Sequence, residues 1–126
     1  MKKEPVSIII PTLNEADYIG HLLFSLSRQT YQNFEVIVSD GNSDDGTLKV
    51  AKSFKKILPK LKITTSRKRS PAHQRNQGAR LAKYERFLFL DADTMLPPDF
   101  LEKALTEIQK KKLDAAGGFA FPISQK

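Results

Sequence analysis

The 126 residues suffice for one domain with a core and are too few for two ordinary ones. With 40% hydrophobic and 28% charged residues and no repeat or low-complexity tract, the composition is that of a folded domain. The absence of cysteine excludes disulfides and thiolate metal sites, the short apolar runs exclude a bilayer-spanning helix, and the net charge of +7 favours anionic partners.

In chain order, Val6 to Ile10 (VSIII) is β-branched and apolar, and Pro11 removes the next backbone donor, so a first strand ends there. Thr12-Leu13-Asn14-Glu15 reads as a loop, and Asp17 as the cap of a helix carrying Ile19, Leu22, Leu23 and Leu26 at helical spacing. Phe34 to Ser39 (FEVIVS) is a second strand that runs into Asp40-Gly41-Asn42-Ser43-Asp44-Asp45-Gly46-Thr47, dense in turn formers and carboxylates. A helix from about Thr47 to Lys56 and a short strand from Leu61 to Thr65 follow. Ser70-Pro71 reads as N-cap and first-turn proline of a helix to about Lys83. The fourth strand, RFLFL, has too little alternation for a half-exposed strand, so Phe87, Leu88, Phe89 and Leu90 are expected to be covered on both faces. After Pro97-Pro98 a helix to Lys112 carries Phe100, Leu101, Leu105 and Ile108 inward, and Ala115 to Phe121 reads as a fifth strand.

Strands alternating with such helices predict an α/β fold with a mainly parallel sheet and helices on both faces. Ligands of such sheets bind at the carboxyl ends of the strands, and polar clusters follow the first strand (Pro11 to Glu15), the second (Asp40 to Asp45) and the fourth (Asp91 to Asp93). Asp91 and Asp93 are separated only by Ala92, so a turn there would let both carboxylates approach one divalent cation or its bound phosphates. Hard oxygen ligands suit Mg2+ or Mn2+. The lysines of 49–62 and 103–112 have the spacing of solvated helix faces, whereas Arg67-Lys68-Arg69, with Arg75 and Arg80 beyond, enters a helix and is placed to meet phosphate.

Ser7 to Glu15 (SIIIPTLNE), Val36 to Thr47 (VIVSDGNSDDGT), Ser70 to Ala79 (SPAHQRNQGA) and Phe87 to Thr94 (FLFLDADT) together resemble, in order and spacing, the amino-terminal part of an inverting glycosyltransferase of family 2. The resemblance covers nearly the whole chain. It implies a GT-A fold, a Rossmann-like α/β/α sandwich, truncated after about five strands, and one nucleotide-sugar-binding domain over 1–126 whose acceptor-binding part is missing. Pro11, Thr12, Asn14 and Glu15 would line the base and ribose side of an NDP-sugar of UDP or GDP type. Asp40 would hydrogen-bond the base; a carboxylate suits the donors there. Asp91 would contact the ribose or a metal-bound water, and Asp93 would ligate Mn2+ or Mg2+. Arg69 and Arg75 would reach the diphosphate by bidentate hydrogen bonds. Asp44 and Asp45 read as solvent-exposed turn and helix-start residues, and His21 as a helix-surface residue.

Inverting transfer also needs a general base, and the family places that carboxylate in a later, acceptor-binding half. The acids after Asp93 are Asp99, Glu102, Glu107 and Asp114, none in a matching motif, so no base is carried over and the acceptor, whether glycan, lipid or protein, is left open. In the resembled fold the strand after the Asp-x-Asp helix does not lie directly beside the fourth strand. Ala115 to Phe121 is therefore expected to be displaced or paired with another chain, an exposed edge that favours a homo-oligomer.

Two other readings compete. Asp91-Ala92-Asp93-Thr94 approaches the strand end of haloacid-dehalogenase-like phosphatases, but that motif belongs on a first strand, with a lysine and further acids well downstream. A basic nucleic-acid-binding domain using Arg67 to Arg69 and Arg80 lacks interleaved aromatics for stacking, so no nucleic-acid partner is expected. Cytoplasm is the expected location, with membrane association only if a longer natural protein carries further segments.

Overall fold

The computed structural model describes residues 4–110 and the backbone of residues 119–120. Strand β1 (Val6–Thr12) lies at the centre of a sheet, with β2 (Phe34–Asp40) on one side and β4 (Phe87–Phe89) on the other, both parallel to it. Strand β3 (Leu61–Thr65) adds to β2 and β5 (Phe119–Ala120) to β4, giving the order β3-β2-β1-β4-β5. The connection from β3 to β4 passes back over β2 and β1. The strand order therefore reverses at β1, opening a crevice at the carboxyl ends of β1 and β4.

The alternation of Ile8, Ile9 and Ile10 distributes the core between two layers. Ile8 and Ile10 join Val36, Val38, Leu88 and Leu90 beneath α1 (Ile19–Ser27), α2 (Thr47–Ser53) and α4 (Phe100–Lys110). Ile9 and Ile37 face the opposite layer, made by α3 (Pro71–Leu81), whose Gly78 sits directly over them. Helix α3 starts as its sequence predicts: the Ser70 side chain accepts from the His73 amide and Pro71 occupies the first turn.

Four expectations are corrected. Asp17 does not cap α1; Tyr18 holds that position, and the Glu15 carbonyl accepts from the amides of Tyr18 and Ile19, so the helix begins on a backbone turn. The helix after Thr47 breaks into a 3-10 turn at Phe54–Lys56. Strand β4 is not covered on both faces: Leu88 and Leu90 are buried, while Phe87 and Phe89 are half-buried. Their register with Ser7 and Ile9 places them on the α3 side, and α3 packs over β1 and β2, not over β4. Their rings meet edge to face at 6.3 Å instead. Of the expected fifth strand only residues 119–120 are described; they pair directly with Leu88 and Phe89 of the same chain, so the expected displacement from the fourth strand is not found there, and the rest of 115–121 lies outside the described residues.

At the amino-terminal end of the sheet, Glu35 is buried and binds three segments together. It accepts from the Ser7 hydroxyl at 2.6 Å and the Lys83 amide at 2.5 Å, and pairs with Lys62 at 2.9 Å. Burial alone would raise the Glu35 carboxyl, but the hydrogen bonds from Ser7, Lys83 and Lys62 outweigh it and hold the group below its ordinary value. The folded chain therefore binds this proton less readily than the unfolded one. Its stabilisation is complete above the ordinary value of 4.5 and is lost as pH falls through the lower folded value. Denaturation measured across that acid range should show Glu35→Gln losing this pH dependence, at a cost of roughly 1 to 3 kcal/mol near neutrality; an unchanged acid limb would remove Glu35 as its source.

Candidate functional site

The loops leaving β1 and β2 are locked to one another by short polar side chains. The Asn14 amide donates to the Ser43 hydroxyl and the Asp44 amide to the Asn14 side chain, each at 2.8 Å. The Glu15 amide reaches Thr47 Oγ1 at 2.8 Å, and Ala16 reaches Asp45 at 3.1 Å. Asn14 and Asn42 take left-handed backbone conformations, φ 54° and 63°, which asparagine tolerates better than other side chains do. Gly46, with φ 102°, makes the turn into α2. Asp45 is exposed at this helix start; the Thr47 hydroxyl, then the amides of Ala16 and Thr47, hold its carboxyl below the ordinary value. Asp44 is also exposed.

A cleft of about 310 Å³ opens at the crevice between the ends of β1 and β4. Pro11, Thr12 and Glu15 line it from β1, Arg69 and Arg75 from the α3 side, and Asp91 and Asp93 from β4. Seven of the nine residues proposed from sequence thus meet in one place. Asn14, exposed on the loop, and Asp40, buried, do not line it.

Asp40 is fully buried, and both carboxylate oxygens are engaged. Oδ1 accepts from the Thr12 hydroxyl at 2.5 Å and the Ser43 hydroxyl at 2.6 Å, and Oδ2 from the Ser43 amide at 2.8 Å. The Asp-x-Asp segment turns as its sequence suggested. Thr94 folds beneath it, donating from Oγ1 to the Asp91 carbonyl at 2.8 Å, and Ala92 is buried. Asp91 is exposed and Asp93 half-buried.

The two arginines differ. Arg69 donates to the Gly41 and Asn42 carbonyls at 3.2 and 2.7 Å and pairs with Asp44 at 2.9 Å, so its guanidinium clamps the β2 loop. Arg75 is half-buried in the cleft and forms no ion pair among the described residues. His21 is exposed on α1.

Sequence reasoning missed Gln74. Its side chain is buried, and Nε2 donates to the Thr12 carbonyl at 2.7 Å and the Ser39 carbonyl at 3.1 Å, holding the ends of β1 and β2 together under the cleft. Its position four residues before Gly78, on the stripe of α3 that faces the sheet, was the available signal.

Among the described residues no cluster of three or more His, Cys, Asp or Glu is arranged to hold a metal. Asp91 and Asp93 offer hard oxygen donors in the same cleft as Arg69 and Arg75. They suit a cation that completes its shell with ligand oxygens rather than one caged by protein.

The model of the family described as glycosyl transferase family 2 matches residues 7–126. The chain belongs to glycosyltransferase family 2. Among its relatives is a dolichyl N-acetyl-alpha-D-glucosaminyl phosphate 3-beta-D-2,3-diacetamido-2,3-dideoxy-beta-D-glucuronosyltransferase of Methanococcus voltae, 34% identical over 95% of this chain and 40% of that protein. The crystal structure of S. aureus TarS 1-349 in complex with UDP-GlcNAc superposes with a TM-score of 0.77 at 33% identity, over 85% of this chain and 32% of that one. The mannosyltransferase PcManGT from Pyrobaculum calidifontis, in complex with GDP-Man and Mn2+, matches with a TM-score of 0.65 at 34% identity, over 73% of this chain and 28% of that one. This family 2 chain thus has the GT-A α/β fold and spans less than half the length of these relatives. No helix among the described residues is long and apolar enough to cross a membrane. The phosphatase and nucleic-acid readings find no support beside the family match.

Proposed function

We propose that the cleft binds the nucleoside diphosphate end of an NDP-sugar, of UDP or GDP type, together with Mn2+ or Mg2+, as the donor side of inverting glycosyl transfer. The observation that carries this reading is the meeting of Asp91 and Asp93 with Arg75 in one cleft. Support comes from the family itself and from the nucleotide sugars named with the solved relatives.

In this reading Asp93 ligates the cation and Asp91 holds the ribose or a metal-bound water. When bound, the metal neutralises charge on the diphosphate leaving group. Arg75 reaches the diphosphate from the opposite wall, where the first turn of α3 presents the positive end of its dipole beside Pro71. Arg69 shapes the base-side loop and offers its remaining donors to the same anion. Pro11, Thr12 and Glu15 form the base and ribose wall, Asn14 braces it through Ser43 and Asp44, and Asp40 anchors Thr12 and Ser43 from within. No catalytic base is assigned: Asp99 pairs with Lys103, Glu102 accepts from Thr30, and none of Asp99, Glu102 and Glu107 lines the cleft. Acceptor recognition belongs, on this reading, to a further part of a longer enzyme.

The diphosphate role of Arg75 separates cleanly from a structural one. Arg75→Ala should weaken UDP or GDP binding by roughly 1 to 3 kcal/mol, the worth of charge-assisted hydrogen bonds, while uridine or guanosine binding stays unchanged. Calorimetric titration of the four ligands decides it. Equal losses for nucleotide and nucleoside, or none for either, would contradict the assignment.

A further inference from the structure

No acidic residue stands between Asp45 and Glu85, although that stretch builds α2, the 3-10 turn, β3 and α3 and holds more than half of the chain's 21 lysines and arginines. Strand β3 is the outer strand of the sheet, so the cations it carries and those of the 3-10 turn that leads into it lie at that edge. Lys62 and Arg69 are paired with Glu35 and Asp44, and the remaining excess of one sign produces a field that selects an anionic partner.

At the amino-terminal end of β3 the cationic side acquires exposed aliphatic groups. Lys55 and Lys56 close the 3-10 turn, and Ile57, which follows them, is 50% exposed. Leu81, at the carboxyl end of α3, is 43% exposed, and the Lys62 ammonium lies 3.4 Å from its carbonyl, which puts that helix end near the amino-terminal end of β3 from the other face of the sheet. Next in sequence to Ile57, a shallow apolar hollow of about 120 Å³ opens between Phe34, Val36, Leu58 and Pro59, with Gln32 and Lys60 also on its lining. Glu35 is buried here and bound to Lys62, while Glu85, beyond α3, is exposed.

Lysines alone would be an ordinary solvated face, and a nucleic acid would leave the exposed Ile57 and Leu81 without a counterpart. Stacking aromatics are absent here as well: Phe54 packs against the core, and Lys83 lies over the Tyr84 ring at 5.7 Å. A lipid surface accommodates both features, with ammonium groups at the headgroups and aliphatic side chains at the acyl boundary. We propose that this corner, formed by Lys55, Lys56, Ile57, Lys60 and Leu81, docks the domain on the anionic surface of a bilayer. The nucleotide cleft lies at the other end of the same parallel strands, so docking leaves it open.

The test is co-sedimentation of the chain with vesicles of phosphatidylcholine alone or mixed with phosphatidylglycerol. Binding is expected to the mixed vesicles and not to the neutral ones, and to be lost at about 0.5 M salt. Replacing Lys55, Lys56 and Lys60 by glutamine should weaken binding roughly a hundredfold, about fivefold per lysine. Ile57→Ser should weaken it severalfold with the charge unchanged. Both variants should keep the melting temperature, so the losses report the surface and not the fold. Equal sedimentation with neutral vesicles, no binding to the mixed ones, or indifference to the triple replacement would overturn the proposal. So would unchanged vesicle binding by Ile57→Ser combined with tight binding of duplex DNA, which would mark a polyanion site.

Discussion

Asp40→Ala should weaken nucleotide binding and loosen the β1 and β2 loops at the same time. The carboxylate is buried and accepts from Thr12 and Ser43, so its removal leaves two hydroxyls and an amide without their charged partner. Hydrogen bonds to a charged group are worth more than neutral ones, and the loss should be on the order of 3 kcal/mol in stability. Thr12 lines the cleft, so the same change shifts the base side of the site, and affinity for UDP or GDP should fall by about 1 to 3 kcal/mol. Asp40→Asn separates the effects: the shape is kept, one oxygen still accepts, and most of the stability should return. Denaturant unfolding and calorimetry on the two variants measure both quantities. Unaltered nucleotide affinity in Asp40→Ala would remove this residue from the site.

The second large effect concerns the seat of α3. A Cβ placed on Gly78 would stand 2.6 Å from Ile9 Cγ2 and 3.5 Å from the Ser39 Cβ. Ile9 is fully buried in the central strand and cannot yield, so the helix must lift. Gly78→Val should therefore cost about 3 kcal/mol or more, at or beyond the upper end for overpacked cores. Lifting α3 would also draw Gln74 away from the Thr12 and Ser39 carbonyls and displace Arg75, so nucleotide affinity should fall in the surviving folded fraction. Equilibrium unfolding in urea checks the first effect. An unchanged midpoint would mean that α3 does not pack on β1 this closely.

These interactions also mark the boundary of what the sequence discloses. Strand β3 falls at the expected Leu61–Thr65, and α3 begins at the expected Ser70-Pro71, because β-branched runs and helix caps act locally. The gathering of Pro11, Arg75, Asp91 and Asp93 was legible too, since parallel strands deliver their ends to one edge. The half-exposure of Phe87 and Phe89 was not, because an apolar run is the same whether or not a helix covers it. Coverage depends on where α3 crosses, and that is set by strand order. Arg69 had the composition of an anion ligand, yet the nearby Gly41 and Asn42 carbonyls and Asp44 engage it, partners 25 or more residues away in sequence. Gln74 was overlooked for a related reason. A polar residue facing the sheet breaks the apolar pattern, and its value is visible only once the two carbonyls it joins are placed.

The central claim is that Asp91 and Asp93 hold a cation jointly with a nucleoside diphosphate. Two carboxylates are too few to bind such a metal tightly, so each component should complete the site for the other. The direct measurement is a calorimetric titration of UDP and GDP with and without Mn2+, on the native chain and on Asp93→Asn and Asp91→Asn. Mn2+ alone and nucleotide alone should bind weakly, and the cognate pair at least about tenfold more tightly, a coupling of about 1.4 kcal/mol. Asp93→Asn should abolish that coupling more completely than Asp91→Asn. Nucleotide affinity indifferent both to Mn2+ and to Asp93 would contradict the donor-site account.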